Sequence, residues 1–194
     1  MIILLLGPAH KELRAFLESF GDEVRHTDKR VKATSGILER VSLVISYGYR
    51  YILKDDFLSK FHRRIINLHI SFLPWNRGAD PNLWSFLEGT PKGVTIHLID
   101  AGVDTGDIIS QRKVNYRNND TLRTTYDRLN REIKSLLVSC WPGIRSNKIT
   151  AKPQPPGGTF HRTKDKENYQ YLLTQGWDTP VNNLIGKLTT KVKG

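Results

Sequence analysis

The chain has 194 residues, 38 % hydrophobic and 25 % charged, which is ordinary globular composition and enough for one good core. Its longest apolar run, Ile2–Leu6, falls far short of the ~20 residues that span a bilayer, and the start lacks a basic n-region, so neither a membrane partner nor a secretory signal is expected. The net charge of +11 suits polyanionic partners, but the basic residues are scattered rather than collected in one block, which equally suits a solvated surface. A single cysteine, Cys140, excludes an internal disulfide and points to a reducing cytoplasm, where it reads as a buried apolar residue.

Ile2-Ile3-Leu4-Leu5-Leu6 is a short apolar run ended by Gly7, the pattern of a fully buried strand. Leu13, Phe16, Leu17 and Phe20 follow at helical spacing and predict a helix over 11–20. A weak strand over 23–26 and a short helix over 34–40 come next. A second buried strand occupies 43–48, a turn or two of helix 55–61, and a further strand 65–71. Pro74, Asn76, Arg77, Gly78, Asp80 and Pro81 then crowd into one irregular loop. A short helix over 82–87, capped by Asn82 or a neighbour, precedes strands over 94–99 and 108–114. Leu122, Tyr126, Leu129, Ile133, Leu136, Leu137 and Cys140 mark one long amphipathic helix, with Asp120 as its cap and its end before Pro142-Gly143.

Beyond it, 152–159 holds three prolines and two glycines and reads as a surface loop. Residues 160–194 are polar and basic, with Leu172, Leu173, Trp177, Val181 and Leu184 as docking points. A main domain over 1–150 and a C-terminal loop and tail over 151–194, packed on or near it, are therefore expected. Strands alternating with helices predict an α/β fold: a Rossmann-like, mainly parallel sheet with helices on both faces and a short irregular tail. Such sheets place ligands beyond the carboxyl ends of their strands, here the loops 7–10, 47–53, 69–77 and 100–107. Gly7-Pro8-Ala9-His10 is a poor phosphate cradle, with only one glycine.

Asn67 and His69 are two apart on a predicted strand, so both side chains project from one face. Polar groups on a buried face must be satisfied, as a structural pair or as part of an active site. Asp100, Asp104 and Asp107 share one loop with Gly102 and Gly106. A calcium loop would place ligands at about alternate positions and close with a glutamate. The spacing here is four then three, with no such glutamate, so no metal is expected. An acidic turn and a catalytic loop both remain open on the residues alone.

Three segments in order carry a family likeness. Asn67-Leu68-His69-Ile70-Ser71-Phe72-Leu73-Pro74-Trp75-Asn76-Arg77-Gly78, then Gly93-Val94-Thr95-Ile96-His97, then Asp104-Thr105-Gly106-Asp107-Ile108 resemble the folate-dependent formyltransferases. That family includes methionyl-tRNA, glycinamide ribonucleotide and sugar-nucleotide formyltransferases, and the likeness covers roughly residues 43–115. It implies an N-formyltransferase that uses 10-formyltetrahydrofolate as co-substrate, with Asn67, His69 and Asp104 as the catalytic set. Asn67 and His69 would serve as donors to the developing oxyanion, at ~3 kcal/mol each. Asp104 would orient His69, favour its charged form, or take the amine proton through water. The likeness also places the pterin against Tyr49, Tyr51, Ile52 and Leu53, with Leu58 behind them, and against the loop carrying Asp100, Gly102 and Val103. His97 reads as structural. His10, His26 and His62 carry no functional expectation.

The acceptor is read from the loop Pro74-Trp75-Asn76-Arg77-Gly78-Ala79-Asp80-Pro81-Asn82-Leu83-Trp84-Ser85 and from Gly158-Thr159-Phe160-His161-Arg162, which look most like the bacterial sugar N-formyltransferases. A small-molecule amine, an amino sugar linked to a nucleoside diphosphate, is therefore expected, with Arg77, Asn82, Trp84, His161 and Arg162 as its contacts. Glycinamide ribonucleotide is the alternative, weakened by the departure at Gly7-Pro8-Ala9-His10. Methionyl-tRNA formyltransferases carry a further RNA-gripping domain for which this chain is too short, so nucleic acid is not expected as a partner. Formyltetrahydrofolate hydrolases carry a regulatory domain before the catalytic core, whereas this chain opens on its first strand. A homodimer through a hydrophobic hairpin or the tail around Trp177 is the remaining expectation.

Overall fold

The computed structural model describes residues 1–148 and 150–188; Ile149 and 189–194, the end of the expected tail, lie outside the described residues. In chain order the elements are β1 (Ile2–Leu6), α1 (Lys11–Glu18), β2 (Glu23–Thr27), β3 (Leu43–Ser46), α2 (Asp55–Lys60), β4 (Ile65–His69), β5 (Arg77–Gly78), α3 (Pro81–Leu87), β6 (Gly93–Leu98), β7 (Ile108–Lys113), α4 (Leu122–Arg145) and β8 (Phe160–His161). Short 3-10 segments over Thr163–Leu172, Gly176–Asp178 and Val181–Asn183 complete the tail. Six strands form one sheet in the order β2-β1-β3-β4-β6-β7, and β5 with β8 forms a two-stranded one. β1 runs parallel to β2 and β3, and β3 parallel to β4. This is the mainly parallel α/β sheet that alternating buried strands and helices predict.

The chain divides into two compact units: Met1–His69 with Ile96–Ile109 and Leu137–Pro153, and 70–95 with 110–136 and the described residues from 154 onward. In the first, Leu4 and Leu6 of β1, Val44 of β3 and Ile65 of β4 pack with Phe57 and Phe61 around α2. Burying each such side chain contributes roughly 1.5–3 kcal/mol. In the second, Trp84, Phe86 and Leu87 of α3 meet Leu122, Val181 and Leu184. The expected docking points Val181 and Leu184 are thus core, whereas Trp177 stays half exposed. Among the described residues no helix is long and apolar enough to cross a membrane.

Several local expectations yield to tertiary contacts. The helix expected over 34–40 is only a 3-10 turn at Gly36–Leu38; Leu38 and Glu39 donate three residues back, to Ser35 and Gly36, and Arg40 at φ 58° blocks continuation. α1 stops two residues early, leaving Phe20 exposed, because the chain turns at Gly21 (φ 75°). α4 is capped by Thr121, not Asp120: Thr124 N–H donates to Thr121 Oγ1 at 3.3 Å and Thr121 N–H to Thr124 Oγ1 at 2.9 Å. Nor does α4 end before Pro142; it runs on to Arg145. An interior proline costs about 3 kcal/mol. Buried Trp141 on one side, and Arg145 donating to the fully buried Asp22 at 2.9 and 3.0 Å on the other, hold the helix through it. α3 begins at Pro81 after Asp80, so Asn82 is inside the helix rather than its cap.

Candidate active site

The parallel pairing sets the position of the polar strand residues. Leu6 lies beside Ser46, and Ser46 beside Asn67, so Asn67 and His69 stand at the carboxyl edge of β4. Their flanking residues Ile66 and Leu68 are buried on the opposite face, the alternation that a pleated strand requires. After β6 the chain makes a tight loop and returns as β7, Leu98 N–H donating to Asp107 O. Asp100 builds that loop from within: its Oδ1 accepts from Gly102 N–H at 3.1 Å and from Thr105 Oγ1 at 2.6 Å. A Cβ on Gly102 would strike Thr105, and one on Gly106 the Leu98 carbonyl, so glycine is required at both. The turn leaves Asp104 in the left-handed region at φ 52°. Asp107 pairs instead with Arg63 at 3.2 Å on the surface. The three acids of the loop therefore have three separate roles. Among the described residues no group of three or more His, Cys, Asp and Glu side chains could hold a metal ion.

Asp104 meets both β4 residues. Asn67 Nδ2 donates to Asp104 Oδ1 at 3.0 Å, and His69 Nδ1 stands 3.6 Å from Oδ2, within ion-pair range. His97, which read as structural from sequence, is the fourth member. It is 1 % exposed, with Nε2 3.3 Å from Asn67 Nδ2 and 3.4 Å from Asp104 Oδ1. Its Nδ1 lies 2.7 Å from the Leu98 carbonyl, which can only accept, so Nδ1 carries the proton. In the neutral ring Nε2 is then an acceptor and takes the second Asn67 amide hydrogen. The signal for His97 was present in the sequence, two residues beyond Thr95 on a strand whose other positions are apolar. What the sequence did not show is that β6 runs next to β4.

The residues expected around a pterin are spread over different settings. Tyr49 packs on the first core, and its hydroxyl donates to Lys29 O at 3.0 Å and accepts from Val31 N–H at 3.1 Å. Burial pushes that hydroxyl's pKa up, against the Val31 bond. Tyr51 sits edge-on to Tyr49 under the Arg30 guanidinium. Ile52 is 80 % exposed, Leu53 packs partly on the core, and Asp100, Gly102 and Val103 are exposed on their loop.

In the second unit, Arg77 Nε and Nη2 donate to Gln154 Oε1 at 3.2 and 2.9 Å. The pairing of β5 with β8 brings Arg77 beside Phe160 and Gly78 beside His161. His161 stacks flat on buried Trp84 at 3.8 Å and bonds to Glu88 Oε1 at 2.8 Å. Arg162 is exposed, its backbone N–H donating to Asp165. Asn82 is buried, donating through Nδ2 to Leu122 O at 2.9 Å and Thr125 Oγ1 at 3.1 Å. It is the one residue of this expected set that lines a cavity of about 610 Å³, with Asp80, Leu173, Tyr126, Lys166 and Trp177 among the other walls. From sequence, Tyr126 reads as part of a helix stripe and Trp177 as a docking point or dimer contact.

At the carboxyl edge of a mainly parallel α/β sheet, a partly buried amide and carboxylate stand with buried imidazoles, groups able to polarise a carbonyl and receive a proton. A family model described as formyl transferase matches residues 22–140. The chain is 32 % identical over 164 residues to the methionyl-tRNA formyltransferase of Listeria monocytogenes, covering 81 % of this chain and 53 % of that protein. It is 33 % identical over 136 residues to the dTDP-4-amino-4,6-dideoxyglucose formyltransferase of Mycobacterium bovis, covering 70 % of this chain and 57 % of that protein. Among solved structures, the formyltransferase PseJ from Anoxybacillus kamchatkensis, in complex with UDP-4,6-dideoxy-4-formamido-L-AltNAc and tetrahydrofolate, superposes with a TM-score of 0.95 at 61 % identity, covering 96 % of this chain and 99 % of that one. The chain belongs to the formyl transferase family. It spans about half the length of the curated relatives it matches.

Proposed function

We propose that this chain transfers the formyl group of 10-formyltetrahydrofolate to the primary amine of a nucleotide-linked amino sugar, and more narrowly to the 4-amino group of a UDP-linked 4,6-dideoxy sugar. The observation that carries the reading is the partly buried Asp104 carboxylate, bonded by Asn67 and faced by His69. The choice of acceptor is supported by the 61 % identity to a protein whose bound ligand is a UDP-4-formamido sugar. The tRNA reading has the weaker support of 32 % identity.

The folate donor fits these residues because a formyl carbonyl needs donors and a base in a water-poor setting. The side chains of His69 and Asp104 are only 9 % and 13 % exposed. Bound 10-formyltetrahydrofolate supplies an activated formyl carbonyl. His69 donates to the carbonyl oxygen as negative charge develops there, worth ~3 kcal/mol of barrier. Asp104 takes the proton that the amine loses, directly or through a water, and that proton passes to N10 of the folate as its bond to the formyl carbon breaks and tetrahydrofolate leaves, a role worth roughly 10²–10⁴-fold in rate. The same carboxylate favours the charged form of His69. Asn67 first holds Asp104, and it can serve the formyl oxygen only by exchanging its longer, 3.3 Å contact to His97. Tyr49, tied to the 29–31 loop, acts as scaffold; Tyr51, Ile52, Leu53 and the loop of Asp100, Gly102 and Val103 are left as the pterin contacts. For the acceptor, Arg77, Asn82 and Arg162 are contacts, and Trp84 and His161 hold the loop that carries them. We infer a cytoplasmic location from the single, half-buried Cys140.

The test is an assay of UDP- and dTDP-linked amino sugars, glycinamide ribonucleotide and methionyl-tRNA with 10-formyltetrahydrofolate, read by product mass. A UDP-4-amino sugar is expected to gain the formyl group. If no sugar does and one of the other two acceptors does, the acceptor assignment is wrong.

A further inference from the structure

Asn76, the residue before Arg77, is fully buried and sits in the left-handed region at φ 57°. A buried amide needs partners for its donors and its acceptor. Its Nδ2 donates to Glu88 Oε2 at 2.9 Å, its Oδ1 accepts from Thr90 Oγ1 at 2.8 Å, and its backbone N–H donates to Thr159 Oγ1 at 3.0 Å. The Glu88 carboxylate also accepts from Thr159 Oγ1 and from His161 Nε2, both at 2.8 Å. A carboxylate only accepts, so His161 carries a proton on Nε2. One side chain, 15 % exposed, thus gathers three donors from the two segments that carry β5 and β8.

Helix chemistry does not call for a glutamate at this place. Glu88 is the C-cap of α3, where the partial negative charge of the helix end disfavours a carboxylate. The cation that such an end favours comes from Lys92, whose Nζ donates to the Ser85 and Thr90 carbonyls at 3.0 and 3.1 Å. The Glu88 carboxylate serves the loop instead.

We infer that Glu88 is a positioning residue for acceptor binding, tying 76–79 to 159–161 and so aiming Arg77 through Asn76, Thr159 and His161. The inference rests on the reading above in which Arg77 contacts the acceptor. Arg77 N–H donates to Thr159 O and Ala79 N–H to His161 O, each at 2.9 Å, so the backbone around Arg77 follows the segment that Glu88 holds. Gln154 orients the guanidinium as a neutral acceptor and leaves its charge available. Bonds to an ionised carboxylate are the strong ones in such a cluster. Without them Asn76 Nδ2 keeps only its 3.3 Å contact to Thr159 Oγ1, and the Thr159 hydroxyl and His161 Nε2 each lose an acceptor.

The test compares Glu88→Ala and Glu88→Gln in the full chain. Glutamine keeps one acceptor oxygen for Asn76 and Thr159, and neutral His161 can accept from its amide through the other tautomer. Amide hydrogen exchange over 76–79 reads the tie without any substrate. Glu88→Ala is expected to speed that exchange about tenfold or more, and Glu88→Gln less than about threefold. The kinetic arm uses whichever amine the wild-type chain formylates. Glu88→Ala is expected to raise the KM for that amine about tenfold, with kcat and the KM for 10-formyltetrahydrofolate within about threefold, and Glu88→Gln to restore most of the loss. A purely structural role lowers the active fraction, and with it kcat, without moving one KM alone. Thr159→Val removes one bridging hydroxyl and is expected to raise the same KM about threefold. Unchanged exchange or an unchanged acceptor KM in Glu88→Ala overturns the inference; if that variant does not fold, an unchanged KM in Thr159→Val does. If the formylated amine is not a sugar but its KM responds as expected, the sugar assignment falls and the role of Glu88 stands. If a UDP-amino sugar is formylated and its KM does not move, the reverse holds.

Discussion

Asp104→Asn separates the charge of the carboxylate from its shape. Asparagine tolerates the left-handed conformation that residue 104 adopts at φ 52°, and its side-chain oxygen can still accept from Asn67 Nδ2, so the loop is expected to keep its form. What disappears is the negative charge 3.6 Å from His69 Nδ1. At an effective dielectric of ~20 that charge stabilises an imidazolium by about 4–5 kcal/mol, an upper bound for a partly solvated pair. Each 1.36 kcal/mol corresponds to about tenfold in rate, so loss of the charge alone slows turnover by up to about three orders of magnitude. General-base catalysis alone gives roughly 10²–10⁴-fold, the same range. The expected result is a kcat loss of about 10²–10⁴-fold, measured as formylated product from a UDP-amino sugar, with binding of tetrahydrofolate retained. Asp107→Asn is the control: it removes a charge from the same loop, but from an exposed pair with Arg63 worth ~0–1 kcal/mol, and turnover should stay near wild type. An Asp104→Asn enzyme with more than about a tenth of wild-type turnover would refute the role assigned to the carboxylate.

Three further outcomes follow from the structure. Asp120 is held by a two-pronged Arg128 contact at 2.6 and 2.8 Å, which, with smaller help from Arg117 N–H and Thr124, lowers its pKa from 3.8 to about 2 against the opposing effect of burial. A carboxyl with a depressed folded pKa adds stability above its unfolded value, so Asp120→Ala should cost about 2 kcal/mol at pH 7, with the difference vanishing as pH falls from about 4 to about 2 in chemical denaturation. Gly158 has φ 91°, and a Cβ there would collide with the Pro74 carbonyl; Gly158→Ala should lower the thermal midpoint by at least about 4 °C, and an unchanged midpoint would show that the loop can move aside. His97→Ala removes the acceptor for the second Asn67 hydrogen and should lower kcat more than it raises KM, whereas His97→Gln, which can still accept, should recover part of the loss; equal kcat in all three would leave His97 a purely structural residue.

Much of the frame is legible along the chain because its determinants are local. The apolar runs at Ile2–Leu6 and Leu43–Ser46 each end in the structure within two residues of the expected place. Period-two alternation alone puts Asn67 and His69 on one face of β4. Where the determinants are distant, sequence reading misplaces elements. Pro142 stays helical because of Arg145 and Asp22, 123 residues apart. The 74–81 loop contains β5 because Thr159 and His161 accept from Arg77 and Ala79 N–H. Asn82 reads as a helix cap, but it lies inside α3 and its amide donates to α4, 40 residues on.

Residue types and spacing therefore specify a mainly parallel α/β sheet and an amide and an imidazole at the edge of one strand. The proposed catalytic cluster is a tertiary object. Asp104 reaches Asn67 across 37 residues only because β6 is laid beside β4 and the glycine-bearing loop after it turns back in the left-handed conformation. The protonation pattern of His97 is likewise set by the Leu98 carbonyl and the Asn67 amide, not by its place in the chain. Short-range steric and apolar patterns act between neighbours and survive in a linear reading. Hydrogen-bond complementarity among buried groups exists only once the strands have paired.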